Sequence, residues 1–175
     1  RLACGAGKKV RVFDPVTGGE ALLVLDIKTG ALAACGDPAT VAQRLECGSG
    51  KKVLVFDPVA GGDTLLTLDI GSEVLALAVF TEPATGAPRL ACGCEDGKLR
   101  VFDAVPGGEA LLVLDAGDCV LSLAAFKDRA TGAPGPAGGS GGQVHVFDPV
   151  AGGDALVVLD ARASVLTAFT DPATG

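Results

Sequence analysis

One phrase occurs four times along the chain, and nothing else in the sequence restricts its fold as strongly. VFDPVTGGEALLVLD starts at Val12, VFDPVAGGDTLLTLD at Val55, VFDAVPGGEALLVLD at Val101 and VFDPVAGGDALVVLD at Val146. Around these centres, residues 1–43, 44–88, 89–134 and 135–175 align as near-copies of one unit, the last copy being the shortest. Leucine-rich repeats are much shorter than this. Helical repeats of similar length need an apolar period near 3.6, which these segments lack. Residues 1–175 therefore read as one repeat domain.

Each unit divides into four short strands. In the best-defined cycle, Val74–Phe80 is an apolar run and Glu82–Pro88 a turn cluster. Arg89–Gly93 is a second strand, and Glu95-Asp96-Gly97 a tight hairpin in which Gly supplies positive φ. Lys98–Asp103 alternates polar and apolar, Ala104–Gly108 turns, and Ala110–Asp115 is the last strand. The DPxxGG turn has its own mechanism. Its Asp bonds backbone N–H groups further along, Pro fixes φ near −65°, and the glycines reverse the chain. Four strands in ~40–45 residues is the spacing of a β-propeller blade.

The ends match in an informative way. The chain opens on a second strand, Arg1–Gly5, and finishes on a first strand, Val165–Phe169, with the turn Thr170–Gly175. In the interior copies the same kind of turn, at 82–88 and 129–134, precedes the second strand. The last strand is thus expected to complete the first blade, giving sixteen strands in four blades and no free edge. Ala31–Val41 departs from the other inner strands, so an irregular blade is expected there. With no Met, a chain that opens at Arg1 inside a repeat points to a fragment, a processed product or part of something longer.

The segment RLACGCEDGKLRVFD (89–103), with its small-residue strand, acidic hairpin and closing strand, resembles the WD repeat, whose third strand usually ends in Trp-Asp. The resemblance covers essentially the whole chain, as a degenerate member. Phe13, Phe56, Phe102 and Phe147 stand where Trp is usual, no Gly-His pair precedes the inner strands, and only the third unit keeps the acidic hairpin. The resemblance implies an all-β fold: a propeller of four four-stranded antiparallel blades. Three arrangements stay open. Pairing of the N- and C-terminal strands would close a four-bladed ring. Two half-rings would join into an eight-bladed dimer. A longer seven- or eight-bladed propeller would contain the chain as a piece.

Composition narrows the function classes. Net charge is −7, from 21 acids against 14 bases, whereas nucleic-acid binders present a basic face. Lys8-Lys9-Arg11 and Lys51-Lys52 read as solvated strand ends. The longest apolar runs are far short of the ~20 residues of a membrane-spanning helix. Of the six cysteines, Cys4, Cys47 and Cys92 share one repeat position that Gly138 fills in the fourth unit. That pattern suits a small buried slot, reduced thiols and a cytoplasmic setting. His145 is the only histidine, and its counterparts are Arg11, Leu54 and Arg100, so it reads as structural. Cys92-Gly93-Cys94 lacks the second pair a zinc site needs. Gly138–Gly142 lacks the ending of a phosphate loop and reads as a flexible replacement for a hairpin. No cofactor and no catalytic group are expected.

Carboxylates are the recurrent polar feature. Asp26, Asp69, Asp115 and Asp160 end the fourth strand of each unit, with Glu73 and Asp118 on the following loops. Two readings stand side by side: each Asp caps a turn, or the six form an acidic face for a partner with a basic segment. The functional expectation is a non-catalytic protein–protein interaction scaffold. Alternatives are a building block of a larger assembly and, disfavoured by its near-identical loops, an enzyme with a channel-mouth site. Expected partners are proteins, with no nucleic acid and no membrane, and include a second copy or a larger complex.

Overall fold

The computed structural model describes residues 1–82, 84–127 and 134–169. Branched aliphatic residues alternating with polar ones build strands, and the described residues form four antiparallel meander sheets. The first sheet holds β1 (Leu2–Ala6), β2 (Lys9–Phe13) and β3 (Leu23–Leu25). The second runs β4 (Ala31–Gly36), β5 (Gln43–Ser49), β6 (Lys52–Phe56), β7 (Leu66–Asp69). The third runs β8 (Val74–Thr81), β9 (Pro88–Cys94), β10 (Lys98–Asp103), β11 (Leu112–Asp115). The fourth runs β12 (Ser122–Lys127), β13 (Pro134–Gly139), β14 (Val144–Val146), β15 (Val157–Leu159).

The DPxxGG turn folds as its chemistry dictates. The Asp57 Oδ1 atom accepts the amides of Val59 and Ala60 at 2.7 and 2.8 Å, and Asp14 and Asp148 do the same in their own turns. Gly61 and Gly62 adopt φ of 67° and 86°, a region closed to most side chains. These bonds hold the carboxyls of Asp14 and Asp57 below their ordinary range.

The core lies between sheets, in three layers that follow one rule. Leu45, Cys47 and Phe56 of the second sheet pack on Val10, Val12 and Leu25 of the first. Leu90, Cys92 and Phe102 of the third pack on Val53, Val55 and Leu68 of the second. Phe147 of the fourth packs on Leu99, Val101 and Leu114 of the third. Each such side chain contributes ~1.5–3 kcal/mol when fully buried. The inner strands β4, β8 and β12 stand side by side, as strands around an axis do.

Glycine sets the spacing of these layers. A Cβ on Gly93 would come within 2.7 Å of Val120 Cγ1, and one on Gly48 within 2.9 Å of Val74 Cγ1. Val74, which opens β8, and Val120, two residues ahead of β12, thus each sit in a notch of the preceding sheet.

Several expectations are corrected. The terminal strands do not pair: β1 bonds only β2, and Val165–Phe169 is not a strand, with Val165 85% and Phe169 87% exposed. With its two ends unpaired, the described chain does not close on itself and is an open arc. Its first sheet has three strands, giving fifteen among the described residues instead of sixteen. The segment at Ala31–Val41 is regular: β4 spans six residues and turns into β5 through Asp37–Ala42, closed by Val41 N–H to Asp37 O at 2.8 Å. The glycine-rich stretch is not a loose edge. Gly138 and Gly139 lie inside β13, and the Ser140 amide and hydroxyl both donate to Gln143 O. Cys47, Cys92 and Gly138 are buried as expected, whereas Cys4 is exposed because no sheet covers its face. The expected turns at 129–133 and 170–175 lie outside the described residues.

Candidate functional site

A four-stranded meander places its turns on two opposite ends. The first-to-second and third-to-fourth turns share one end, called here the turn face. The second-to-third hairpins and the connections to the next sheet share the other, the hairpin face. Arg89 confirms the first grouping, since its guanidinium bridges Glu82 in one turn and Asp103 in the other.

The six carboxylates singled out in the sequence all lie on the hairpin face. Asp69 and Asp115 cap turns: their Oδ1 atoms accept the amides of Gly71 and Gly117 at 3.1 and 2.9 Å. Asp26 and Asp160 have no glycine two residues on and find other partners. Asp26 pairs with Lys9 at 3.3 Å, and Asp160 accepts from Gln143 Nε2 at 2.8 Å. Asp118 accepts the Cys119 amide at 2.7 Å. Glu73 is exposed, and its backbone carbonyl accepts the Glu95 amide at 3.0 Å.

Strand register explains these partners. Lys52 stands opposite Asp69 and Lys98 opposite Asp115, and the same position holds Lys9 in the first sheet and Gln143 in the fourth. Opposite charges directly across a ladder attract. Lys98 Nζ lies 2.5 Å from Asp115 Oδ2, and this contact, with the Gly117 amide, holds the Asp115 carboxyl below its usual range. Each terminal Asp of the first three sheets therefore stands opposite a lysine, in an ion pair for Asp26 and Asp115, and with Lys8, Lys28 and Lys51 nearby the hairpin face is of mixed sign.

The turn face is different. Glu20, Asp63, Glu109 and Asp154 follow the glycine pair in each sheet, and all four are exposed. None takes part in an ion pair among the described residues. The arginines of this face are already engaged. Arg44 donates to Asp37 at 3.0 Å and to Val105 O of the next sheet at 3.1 Å, Arg89 holds Glu82 and Asp103, and Arg1 reaches Pro58 O at 3.4 Å. The four carboxylates are part of the repeated phrase itself. The turn's leading Asp, with its clear capping role, draws the eye away from the acidic residue after its glycines.

Glu46 is a second residue that the sequence reading missed. It is fully buried, with Oε1 accepting the Cys35 thiol at 2.9 Å and Oε2 unpartnered. Burial pushes Glu46 up to about 7, and burial with the adjoining carboxylate pushes the Cys35 thiol up to about 12. Ala3, Ala91 and Ala137 fill this position in the other units, so one acid in a column of alanines was the available signal.

Other candidate groups have structural surroundings. His145 lies mid-strand, its ring 6.0 Å from that of Phe147 in a stacked arrangement. Cys92 and Cys94 are buried in the layer between the second and third sheets. No metal-holding group of His, Cys, Asp and Glu occurs among the described residues. A shallow groove of about 420 Å³ lies between β3 and the outer part of the second sheet, lined by Leu23, Leu25, Leu54, Phe56 and Asp63.

This arrangement of radial meander sheets defines the class: the chain is an arc of a β-propeller. No family model matches it, and no curated protein matches it. Among solved structures it is similar to Sqt1 of Saccharomyces cerevisiae, with 18% identity and a TM-score of 0.73 over 95% of this chain and 50% of that one. It is also similar to BBS1N, solved in complex with ARL6DN and soaked with lead, with 17% identity and a TM-score of 0.64 over 91% of this chain and 48% of that one. At these identities the likeness is one of fold. The chain spans about half the length of these two structures.

Proposed function

We propose that the chain is a non-catalytic, WD-repeat-like protein-interaction scaffold whose turn face binds a basic segment of a partner protein. The observation that carries this is the row of Glu20, Asp63, Glu109 and Asp154, one exposed carboxylate per sheet and none in an ion pair among the described residues. Rigid strands hold the four turns in a fixed array, and loops on a fixed scaffold are where binding residues concentrate. Unpaired carboxylates at regular spacing sum their fields and raise the encounter rate with cations. On the hairpin face the lysines opposite Asp26, Asp69 and Asp115 reduce that field. An intracellular setting belongs to the same proposal, with all six cysteines as free thiols.

Fluorescence anisotropy with a labelled Lys/Arg-rich peptide tests it. The expected result is binding that weakens steeply as salt rises from ~20 to ~300 mM, as screening shortens the range of exposed charges. The fourfold variant E20K/D63K/E109K/D154K should lose it, whereas D26K/D118K/D160K on the hairpin face should retain most of it. Loss in the second set with retention in the first would move the partner site to the acidic face expected from the sequence. Absence of salt-sensitive binding by the unmodified chain would contradict the basic-partner function altogether.

A further inference from the structure

The two ends of the arc carry the two halves of the layer that joins its interior sheets. In every interior layer a Leu–Cys–Phe set of one sheet, with Pro136 and Gly138 in place of Leu and Cys in the fourth, meets a set of Val and Leu of the preceding sheet. Leu2, Cys4 and Phe13 are the first set in the first sheet, where no sheet covers them: Leu2 is 57% exposed, against 2% for Leu45 and 0% for Leu90. Val144, Val146 and Leu159 are the second set in the fourth sheet, with Val144 buried and Val146 half-buried. Leu159 is 50% exposed, against 2% for its counterparts Leu68 and Leu114. The ends are thus complementary to each other, head to tail, by the pairing rule already used three times inside the arc.

An apolar segment without strand partners accompanies these faces. Ser164–Phe169 (SVLTAF) matches the inner-strand sequences that begin VLALAVF at Val74 and VLSLAAF at Val120. Ala76 and Ser122, two residues after Val74 and Val120, are each 7% exposed, whereas Val165, two residues after Ala163, is 85% exposed. The segment sets out in the direction of a further sheet. Ala163 lies against Gly139 of the fourth sheet, where a Cβ would come within 2.9 Å of Ala163 Cβ, as Val120 lies against Gly93. The Ser122 hydroxyl donates to Ala163 O at 3.3 Å. At the other end, β1 has a free edge where β4, β8 and β12 line the inner side of their own sheets.

We propose that two copies of this chain associate head to tail at both ends. In this ring of eight sheets, Ser164–Phe169 of each copy adds an inner strand antiparallel to β1 of the other. Over 95% of its own residues this chain matches about half of a longer solved chain, as one half of a larger ring would. A head-to-tail contact that closes after two copies yields a finite two-fold ring, whereas one that does not close yields filaments. The added strand supplies the backbone partners that the β1 edge lacks.

Light scattering coupled to gel filtration tests this on the 175-residue chain. The expected mass is twice the 17.2 kDa of one chain. Val165→Pro removes an N–H from the donated strand and, at a position exposed in the single arc, leaves the fold intact, so the mass should halve. Val16→Asp, an equally drastic change at a 91% exposed turn position, should leave the doubled mass unchanged. The Cys4 thiol should react slowly with a maleimide in the unmodified chain and quickly in V165P. A single-chain mass for the unmodified protein overturns the proposal. So does an open-ended size distribution, or a dimer that V165P leaves unaltered with Cys4 still reactive.

Discussion

Val41 occupies the turn position that Gly86 holds in the next unit, and it does so at φ 59°, beside 71° for the glycine. The two turns are otherwise alike. Val41 donates to Asp37 O and Gly86 to Glu82 O, both at 2.8 Å. A β-branched residue in the left-handed region is strained, because its Cβ crowds the backbone. Val41 is 82% exposed, so its side chain recovers little by burial. Val41→Gly should therefore stabilise the chain by on the order of 1 kcal/mol and raise Tm by roughly 2–4 °C. Gly86→Val should do the reverse. Calorimetry of both variants measures this, and a lowered Tm for V41G contradicts it.

Glu46 gives the fold a pH dependence. Its ordinary value is 4.5, and burial raises it to about 7 in the folded chain, against the opposing pull of the Cys35 hydrogen bond. The folded state therefore holds a proton that the unfolded state releases. Its stabilising contribution is fully present below about 4.5 and is lost as pH rises through about 7. The loss is on the order of 3 kcal/mol, because each tenfold gain in proton affinity on folding is worth ~1.4 kcal/mol. Glu46→Gln should flatten the profile between pH ~4.5 and ~7, the window in which only the unfolded chain has released this proton. Urea titrations at several pH values read the slope directly, and identical profiles for the two proteins would remove Glu46 as its source.

Gly93 is needed for the approach of two sheets. A Cβ there would stand 2.7 Å from Val120 Cγ1 and 3.0 Å from the Val120 carbonyl oxygen, and the backbone atom cannot rotate away. Gly93→Ala should destabilise the chain by about 1–3 kcal/mol, the cost of overpacking a close-packed layer. A denaturation midpoint equal to that of the unmodified chain would show that the sheets stand further apart.

Much of the architecture was legible because the repeat states it four times. The phrases from Val12, Val55, Val101 and Val146 place a strand, a turn and a second strand, and β10 occupies the residues expected, Lys98–Asp103. What failed depends on long-range geometry. Whether Val165–Phe169 reaches β1 is fixed by the rotation between sheets, which no local pattern encodes. The hairpin-face carboxylates do share one face, but Lys9, Lys52 and Lys98 stand opposite three of them by register. Sequence alone presents two of those lysines as solvated strand ends and says nothing of the register that pairs them. Ala31–Val41 looks irregular in sequence because Val41 replaces the glycine of its turn, and the backbone absorbs the strain without losing β4.

The central claim is that neighbouring sheets bury each other's faces around an axis. Cys35, Cys47, Cys92 and Cys94 report on it, being between 0% and 6% exposed in two of the three layers. Maleimide labelling under native conditions, resolved residue by residue by mass spectrometry, should leave all four unmodified until the chain unfolds globally. Labelling of Cys47 and Cys92 in the folded protein, at the rate of a thiol in an unfolded peptide, would contradict the stacked-sheet arrangement.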